Sequence, residues 1–257
     1  MATKEKTGIV EKILRCGIIS WIIFFTLWAF AAFNYDEIFL PSPIETWKAL
    51  VKVISDGTLG ADIIASLGRI GKGWGLAILT AIPIGLLTGH FKCVRWLVEP
   101  LLNLLRFIPA IALTSMFLIW FGVDDKSKVA LILYAAFFPI LVNTIAGVVT
   151  TDKSLVEAAS CMGAGRIRVF FTVIVPSSVP NIFTGVRLGL SSSIICVIAA
   201  EMLVGGDGLG YLIQSSRMYY KTSWAFAGII TLALIGFIAD RLLSFVGKKL
   251  LKHFGVK

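Results

Sequence analysis

Six long apolar runs constrain this chain more than any other feature. Each run is near twenty residues, which is the length an α-helix needs to cross a hydrocarbon core of about 30 Å. Hydrophobic residues make up 57% of the chain and charged residues only 15%, whereas soluble domains have about a quarter charged residues. No barrel-like alternation is visible, so the spans are predicted to be helices. The expected spans are 17–33, 70–89, 107–122, 129–149, 182–204 and 224–246.

The runs predict an all-α, polytopic membrane protein with one domain over 1–257, because no long linker or clear repeat separates them. The first run follows a basic start and contains Ala29-Phe30-Ala31, which also fits a signal peptide with its cleavage site. Trp21 and Trp28 make this run bulky, and we therefore favour an uncleaved first span.

The stretch between the first two spans is less apolar. Pro41 and Pro43 predict a rigid turn, because each proline holds the residue before it in an extended conformation. After them, Leu50, Val51 and Ile54 share one side of the segment 44–55, which predicts an amphipathic helix in the membrane interface. The second span carries small residues four apart, and these predict close packing against another helix.

A polar segment over 150–179 separates the fourth and fifth spans. It contains Glu157-Ala158-Ala159, then Gly163, and ends in Val173-Ile-Val-Pro176. Crossing lipid alone would require only a short turn here, so the length of this segment predicts an amphipathic helical hairpin held against the membrane. Glycines at 163 and 165 are expected to allow a sharp bend between two short helices.

The spacing within 150–179 resembles the EAA loop of importer-type ABC transporter permeases. In that family the loop is a cytoplasmic coupling helix that docks on an ATPase subunit. The segment 106–122 also resembles the family pattern, and the Leu-Pro-Ser-Pro turn at 40–43 resembles its nitrate, sulfonate and taurine branch. The resemblance covers nearly the whole chain and implies a type I importer permease fold with six transmembrane helices.

The resemblance also implies site residues and partners. The residues implied in coupling to the ATPase are Glu157, Ala158, Ala159, Gly163, Gly165, Arg166 and Pro176. The small alanines would permit close contact, while Arg166 and Arg168 would pair with acidic groups or with lipid phosphate. The implied partners are two copies of an ATP-binding subunit carrying ATP and Mg²⁺, a periplasmic or lipid-anchored substrate-binding protein, and a second, identical permease.

The chain itself contains no G-x-x-x-x-G-K-[ST] sequence, so we do not expect it to bind ATP or another cofactor, or to be an enzyme. His90 and His253 are isolated, and no catalytic set is convincing. The expected function is import of nitrate, sulfonate, taurine, bicarbonate or a related solute by alternating access. The alternative is a secondary transporter or channel that works alone, which co-purification of an ATPase would exclude.

Polar side chains within the spans are the candidates for a substrate pathway, because buried polar groups are costly in lipid. These candidates are Asn143, Arg187, Ser191, Ser192 and Glu201. Arg187 could attract an anion or extend to the cytoplasmic face, and Asn143 could contact substrate or bond to a neighbouring helix. Glu201 is expected at the outer gate. Only one or two of the serines at 191–193 can face inward.

Basic residues predict the orientation. Fifteen Lys and Arg lie in 1–16, 90–107, 150–179 and 239–257, against eight in the parts expected outside. The positive-inside rule then places both termini and the coupling loop in the cytoplasm, and the resemblance implies a bacterial inner membrane. The net charge of +9 is attributed to orientation and lipid contact, with no nucleic-acid partner. Four scattered cysteines suggest neither a metal site nor a disulfide framework.

Overall fold

The structure is a computed structural model that describes residues 18–254, and this part of the chain is helical without strands. Short 3₁₀ turns occur at Ala110–Leu113 and Lys252–Phe254. The helices are α1 (Ile18–Phe33), α2 (Pro43–Ser55), α3 (Thr58–His90), α4 (Lys92–Leu105), α5 (Thr114–Phe121), α6 (Asp125–Val149), α7 (Lys153–Cys161), α8 (Arg166–Val204), α9 (Leu209–Met218) and α10 (Thr222–Leu250).

Four helices, α3, α6, α8 and α10, are long and apolar enough to cross a membrane. Helix α4 and the segment Ala110–Phe121 would make a fifth crossing as a pair bent by 87°, and α1 is a shorter apolar helix. Within residues 18–254 this arrangement agrees roughly with the predicted six spans. The basic residues of 1–16 and Cys16 lie outside the described residues.

The second span begins earlier than predicted. Helix α3 starts at Thr58 instead of residue 70, because Asp62, Ser66 and Arg69 do not end it. Spacings of four and three residues place these three polar side chains on one face of the helix, and that face is covered by other parts of the same unit. A hydropathy reading stops at such charges, although the helix continues through them.

The third span is not the straight helix expected over 107–122. The α-helical part is only α5, and Pro109 stands in extended conformation at the bend before it. The residues expected as a short connector form α4 instead, a 14-residue helix. Its Arg95 donates hydrogen bonds to the carbonyls of Thr88 and Gly89 at the end of α3, which fixes the turn between the two helices.

Helices α3 and α6 pack closely along a row of small residues, as the spacing predicted. A Cβ atom added at Gly73 would lie 2.6 Å from Ile132, and one added at Gly85 would lie 2.7 Å from Thr144. Ala77 and Ala81 are fully buried between these glycines. Small residues four apart therefore let the two backbones approach each other, and both helices run in the same direction.

Contacts divide the chain into two compact units, Met1–Gly60 with Leu212–Ile230 and Ala61–Tyr211 with Thr231–Lys257. In the first unit, a capping box between Ser42 and Glu45 starts α2. The hydrogen bonds that Glu45 accepts from Ser42 lower the pKa of its carboxyl group. Trp28 donates to the carbonyl of Pro41 at 3.1 Å.

The amphipathic helix expected over 44–55 is present as α2, and two residues of its expected apolar side face outward instead of into the protein. Thr46, Ala49 and Val53 are buried, whereas Val51 and Ile54 are exposed. Exposed apolar side chains suit a helix whose outer side meets lipid.

Candidate coupling segment and transport cavity

Helix α7 carries the Glu157-Ala158-Ala159 sequence and begins at a well-formed cap. The Asp152 carboxylate accepts a hydrogen bond from the backbone N–H of Ser154 at 2.9 Å. This bond lowers the pKa of Asp152 below its usual value, and a carboxylate is favoured at a helix N-terminus. The predicted first helix of the hairpin therefore exists, at Lys153–Cys161.

Gly163 ends α7 in the way that the sequence predicted. Its φ of +81° lies in the left-handed region, which glycine adopts without steric cost. The N–H of Gly163 donates to the carbonyl of Ser160 at 3.0 Å, and that of Ala164 donates to Ala159 at 3.1 Å. This pair of bonds is a Schellman ending. Gly165, with φ of −67°, is in an ordinary conformation.

The inner face of α7 packs on the ends of the spans. Ala159 is buried with Val148 of α6 and with Val169 and Ile174 of α8. The side chain of Ala159 thus faces its own protein, and the prediction that these small alanines permit close contact with an ATPase stays a prediction. Glu157 and Ala158 are exposed.

Beyond the bend, the second half of the hairpin differs from the prediction of a short helix. Arg166 begins α8, which continues for 39 residues to Val204 without a break before the fifth span. Residues Phe170–Ile174 form a π-helical turn. Pro176 follows this turn and has no N–H to donate to the carbonyl of Thr172, so the wider turn accommodates the proline inside the helix. Arg166 and Arg168 are exposed.

A cavity of about 590 Å³ lies between the bend at 106–111, α6 and α8. Two predicted pathway residues, Asn143 and Ser192, line it. Arg106 and Tyr134 also line it and were not predicted. The Tyr134 hydroxyl donates to the carbonyl of Leu105 at 2.7 Å, holding the bend. Most of the lining is apolar, with Phe107 and Phe138 among the walls.

Other predicted pathway residues do not line this cavity. Arg187 makes two hydrogen bonds to the Asp240 carboxylate, at 2.9 and 2.8 Å, and so joins α8 to α10. Its charge is balanced by this partner, which had not been predicted. Ser191 is exposed, and its hydroxyl lies 3.3 Å from the carbonyl of Arg187. Among the three successive serines, Ser192 is the one that lines the cavity.

Glu201 lies in a buried ionic network at the end of α8 far from α7. Its side chain is fully buried and accepts a hydrogen bond from Arg69 at 2.7 Å. Ser66 donates to the same carboxylate at 2.8 Å. Arg69 also donates to Asp125 at 2.8 Å and to Asp207. The hydrogen bond from Arg69 lowers the pKa of Asp207. Lys128 lies 3.7 Å from Asp207 as well, so each buried cation of the network has carboxylate partners, as a buried charge requires.

The glycine-rich loop at 205–210 is held in place by hydrogen bonds to this network. Glu201 accepts from the N–H of Gly210 at 2.8 Å, and Asp62 accepts from that of Gly208 at 2.9 Å. Gly208 has a φ of +107°, and an added Cβ would overlap the Glu201 carboxylate. Glycine is required here because backbone and carboxylate approach each other closely.

Sequence reasoning missed most of this network. A signal was available, because Asp62, Ser66 and Arg69 repeat at helical spacing in a chain otherwise poor in charge. Polar side chains on one face of a membrane helix indicate a buried polar partner. In the same way, an acidic residue in the last span, Asp240, indicated that Arg187 has a partner of opposite charge. No sequence pattern indicated Arg106 as a cavity residue, because its position depends on the bend.

A bundle of apolar helices with a capped polar hairpin and an open cavity between α6 and α8 suits a membrane transport protein. Solved structures share this fold. One, an inward-facing form of the MetNI methionine ABC transporter, aligns with 78% of this chain and 97% of its own, at a TM-score of 0.62 and 19% identity. The fold is that of type I ABC importer permeases.

Residues 81–252 match the family described as binding-protein-dependent transport system inner membrane component, and the chain belongs to this family. It is 37% identical over 202 residues to a probable ABC transporter permease of Brucella melitensis, covering 79% of this chain and 82% of the relative. It is 34% identical over 210 residues to the taurine transport system permease TauC of Escherichia coli, covering 80% and 76%. The chain is therefore a permease subunit of an ABC importer.

Proposed function

We propose that this permease imports a small solute that carries an anionic group, of the nitrate, sulfonate, taurine or bicarbonate type. The taurine permease of Escherichia coli and the nitrate import permease of Synechocystis, at 29% identity, support this range by their names. The observation that carries the proposal is the cavity. Among the described residues that line it, Arg106 is the one with a charge, and the other walls are mostly apolar. A lone cation in an apolar surrounding favours an anion.

The partners follow from the coupling segment. Two ATPase subunits, carrying ATP and Mg²⁺, bind α7 in the cytoplasm of two identical permease chains, and a substrate-binding protein delivers cargo on the other side. The exposed side of α7 and its bend combines Glu157 and Ala158 with the apolar Leu155, Met162 and Ile167. Exposed apolar patches of this kind mark protein interfaces.

The mechanism is alternating access. Closure of the ATPase pair pushes on α7, whose inner face is packed on the ends of α6 and α8. Closely packed helices transmit such a displacement as rigid bodies. The cavity between α6 and α8 then opens alternately to the two sides, and the buried network around Glu201 lies at the outer end.

Reconstituted uptake tests the proposal. Proteoliposomes containing the permease, its ATPase and its binding protein should accumulate labelled anion only with ATP. Arg106→Gln should raise the KM for the anion about tenfold while leaving basal ATP hydrolysis unchanged, because a hydrogen bond to a charged group contributes about 1.5 kcal/mol and each ~1.4 kcal/mol changes an affinity about tenfold.

The matched control is Glu99→Gln, which changes an exposed charge on α4 outside the cavity. Uptake by the permease alone, without the ATPase, would contradict the proposal and support a secondary transporter or channel. Unchanged KM in Arg106→Gln would instead reject only the anion site.

A further inference from the structure

A groove outside the transport cavity, which we call the α3–α6 groove, has a volume of about 510 Å³. Gly75, Leu76 and Leu79 of α3 line it together with Val129 of α6. Lys72 and Lys126 complete the lining with Asp125. None of these residues belongs to the cavity or to the coupling segment.

The lysines occupy one end of this groove. Helices α3 and α6 run in parallel, since Gly73 meets Ile132 and Gly89 meets Val148. Each lysine precedes the first other lining residue that follows it on its own helix, Gly75 after Lys72 and Val129 after Lys126, by three residues or about one turn. Both cations therefore lie toward the end of the bundle that holds Glu201, and the apolar lining continues toward α7.

The position of Lys72 and Lys126 along the bundle corresponds to one boundary of the membrane. Lys72 precedes His90, the last residue of α3, by eighteen residues, which is about 27 Å along a helix. The hydrocarbon core is about 30 Å thick. With His90 and the coupling segment at one boundary, the two ammonium groups reach the opposite one, at the level of lipid headgroups.

The bottom of the α3–α6 groove at Gly75 leaves free space, whereas α3 and α6 are in close contact at the neighbouring Gly73. A Cβ added at Gly75 would have no atom within 4 Å, whereas one at Gly73 would meet Ile132 at 2.6 Å. Leu79 is 71% exposed beside it. The groove is thus a shallow apolar channel that leads away from the charged end and has room for an acyl chain.

The lysine charges are available to a ligand. No carboxylate of residues 18–254 lies within ion-pair distance of Lys72 or Lys126. The one acidic lining residue, Asp125, accepts a hydrogen bond from Arg69 at 2.8 Å and lies 3.8 Å from Lys128, so its charge is already matched.

We propose that the α3–α6 groove binds one anionic phospholipid of the outer leaflet, with its headgroup phosphate between Lys72 and Lys126 and an acyl chain over Gly75. Lysines near a membrane surface attract anionic lipid with about 1 kcal/mol each, a factor of about five. Two such lysines predict a preference of about twenty-five-fold for phosphatidylglycerol over phosphatidylcholine with the same chains.

Native mass spectrometry of the purified full-length permease, titrated with each lipid, measures this preference. Lys72→Gln/Lys126→Gln should remove it, while binding of phosphatidylcholine stays unchanged. Gly75→Leu should weaken the binding of both lipids, because the leucine side chain would fill the bottom of the groove. Excess glycerol phosphate should not displace the lipid, because it lacks the chain that the groove holds.

The controls change matched positions outside the groove. Lys48→Gln/Lys92→Gln alters two exposed lysines, and Gly68→Leu alters a glycine of α3 whose Cβ would also meet open space. Wild-type preference in the Lys72/Lys126 variant, or equal loss in the control, would overturn the proposal. So would cross-linking of Leu79→Cys to a second copy of the chain, since the groove would then be a subunit contact.

Discussion

At the scale of single residues, the buried Glu201 carboxylate is the most constrained group. It accepts from Arg69 and Ser66, which both lie on α3, and from the N–H of Gly210 in the glycine-rich loop. A buried ion of this kind is tolerated because its partners replace water. Its removal takes away the acceptor of the Arg69 and Ser66 hydrogen bonds inside the protein, and leaving buried donors unpaired is more costly than loss of the contact itself.

Glu201→Gln should therefore destabilise the protein by about 3 kcal/mol, measured as a lower thermal midpoint of the detergent-purified chain. Glu99→Gln, at an exposed position, should change the midpoint little. Equal midpoints for the two variants would show that the network does not stabilise the fold.

The lowered pKa of Asp207 in the same network predicts that the stability of the protein depends on pH. Arg69 holds the pKa of this carboxyl below its ordinary value, so the ionised form stabilises the folded state. The contribution is complete above the unfolded pKa of about 3.9 and is lost as the pH falls through the lower folded pKa.

The difference in thermal midpoint between wild type and Asp207→Asn should be constant from pH 8 to about pH 5 and shrink below about pH 4. A difference that grows on acidification would contradict the assigned direction of the pKa shift.

At the scale of elements, the row of small residues where α3 contacts α6, here called the seam, decides how these spans pack. Gly73, Ala77, Ala81, Gly85 and Gly89 repeat every four residues and face α6. In lipid there is no hydrophobic drive between helices, so close backbone contact supplies the attraction. The same helix carries Gly71 and Gly75, which have open space and no such role.

Gly85→Val should therefore lower the thermal midpoint by an amount that corresponds to about 1–3 kcal/mol, because its Cβ would meet Thr144 at 2.7 Å. Gly71→Val, on the same helix, should leave the midpoint unchanged or raise it. If both substitutions have the same effect, the seam does not determine the packing.

At the scale of the whole molecule, function depends on a surface that the chain cannot complete alone. Met162 is 82% exposed at the bend after α7, next to a helix whose other face is packed into the larger unit. Exposing such a side chain is costly in water, and an ATPase groove would cover it.

Met162→Asp should reduce co-purification of the ATPase at least tenfold while leaving the thermal midpoint of the permease unchanged. Val123→Asp is the matched control. Val123 is 77% exposed in the turn before α6, and α7 follows the opposite end of α6. Loss of the ATPase from both variants would reject the assignment of the docking surface.

Much of this architecture could be predicted from short-range patterns. Apolar runs predicted helices, and Asp152 and Gly163 stand where the ends of α7 require them. Long-range pairings could not be predicted in this way. Arg187 and Asp240 are 53 residues apart, and Arg69 and Glu201 are 132 apart, so no local spacing connects them. Pro109 lies inside the expected third span, and no sequence pattern indicated the bend of 87° there.

The sequence by itself determined that the chain is a helical membrane protein with a protruding polar hairpin, because lipid requires long apolar helices and each helix satisfies its own backbone hydrogen bonds. Only the tertiary structure decided which polar side chains are neutralised and which face open space. Arg187 and Glu201 are paired, whereas Asn143 and Ser192 line a cavity. That division depends on how α3, α6, α8 and α10 pack, and charge balance in a medium of low dielectric constant arises only after packing brings distant residues together.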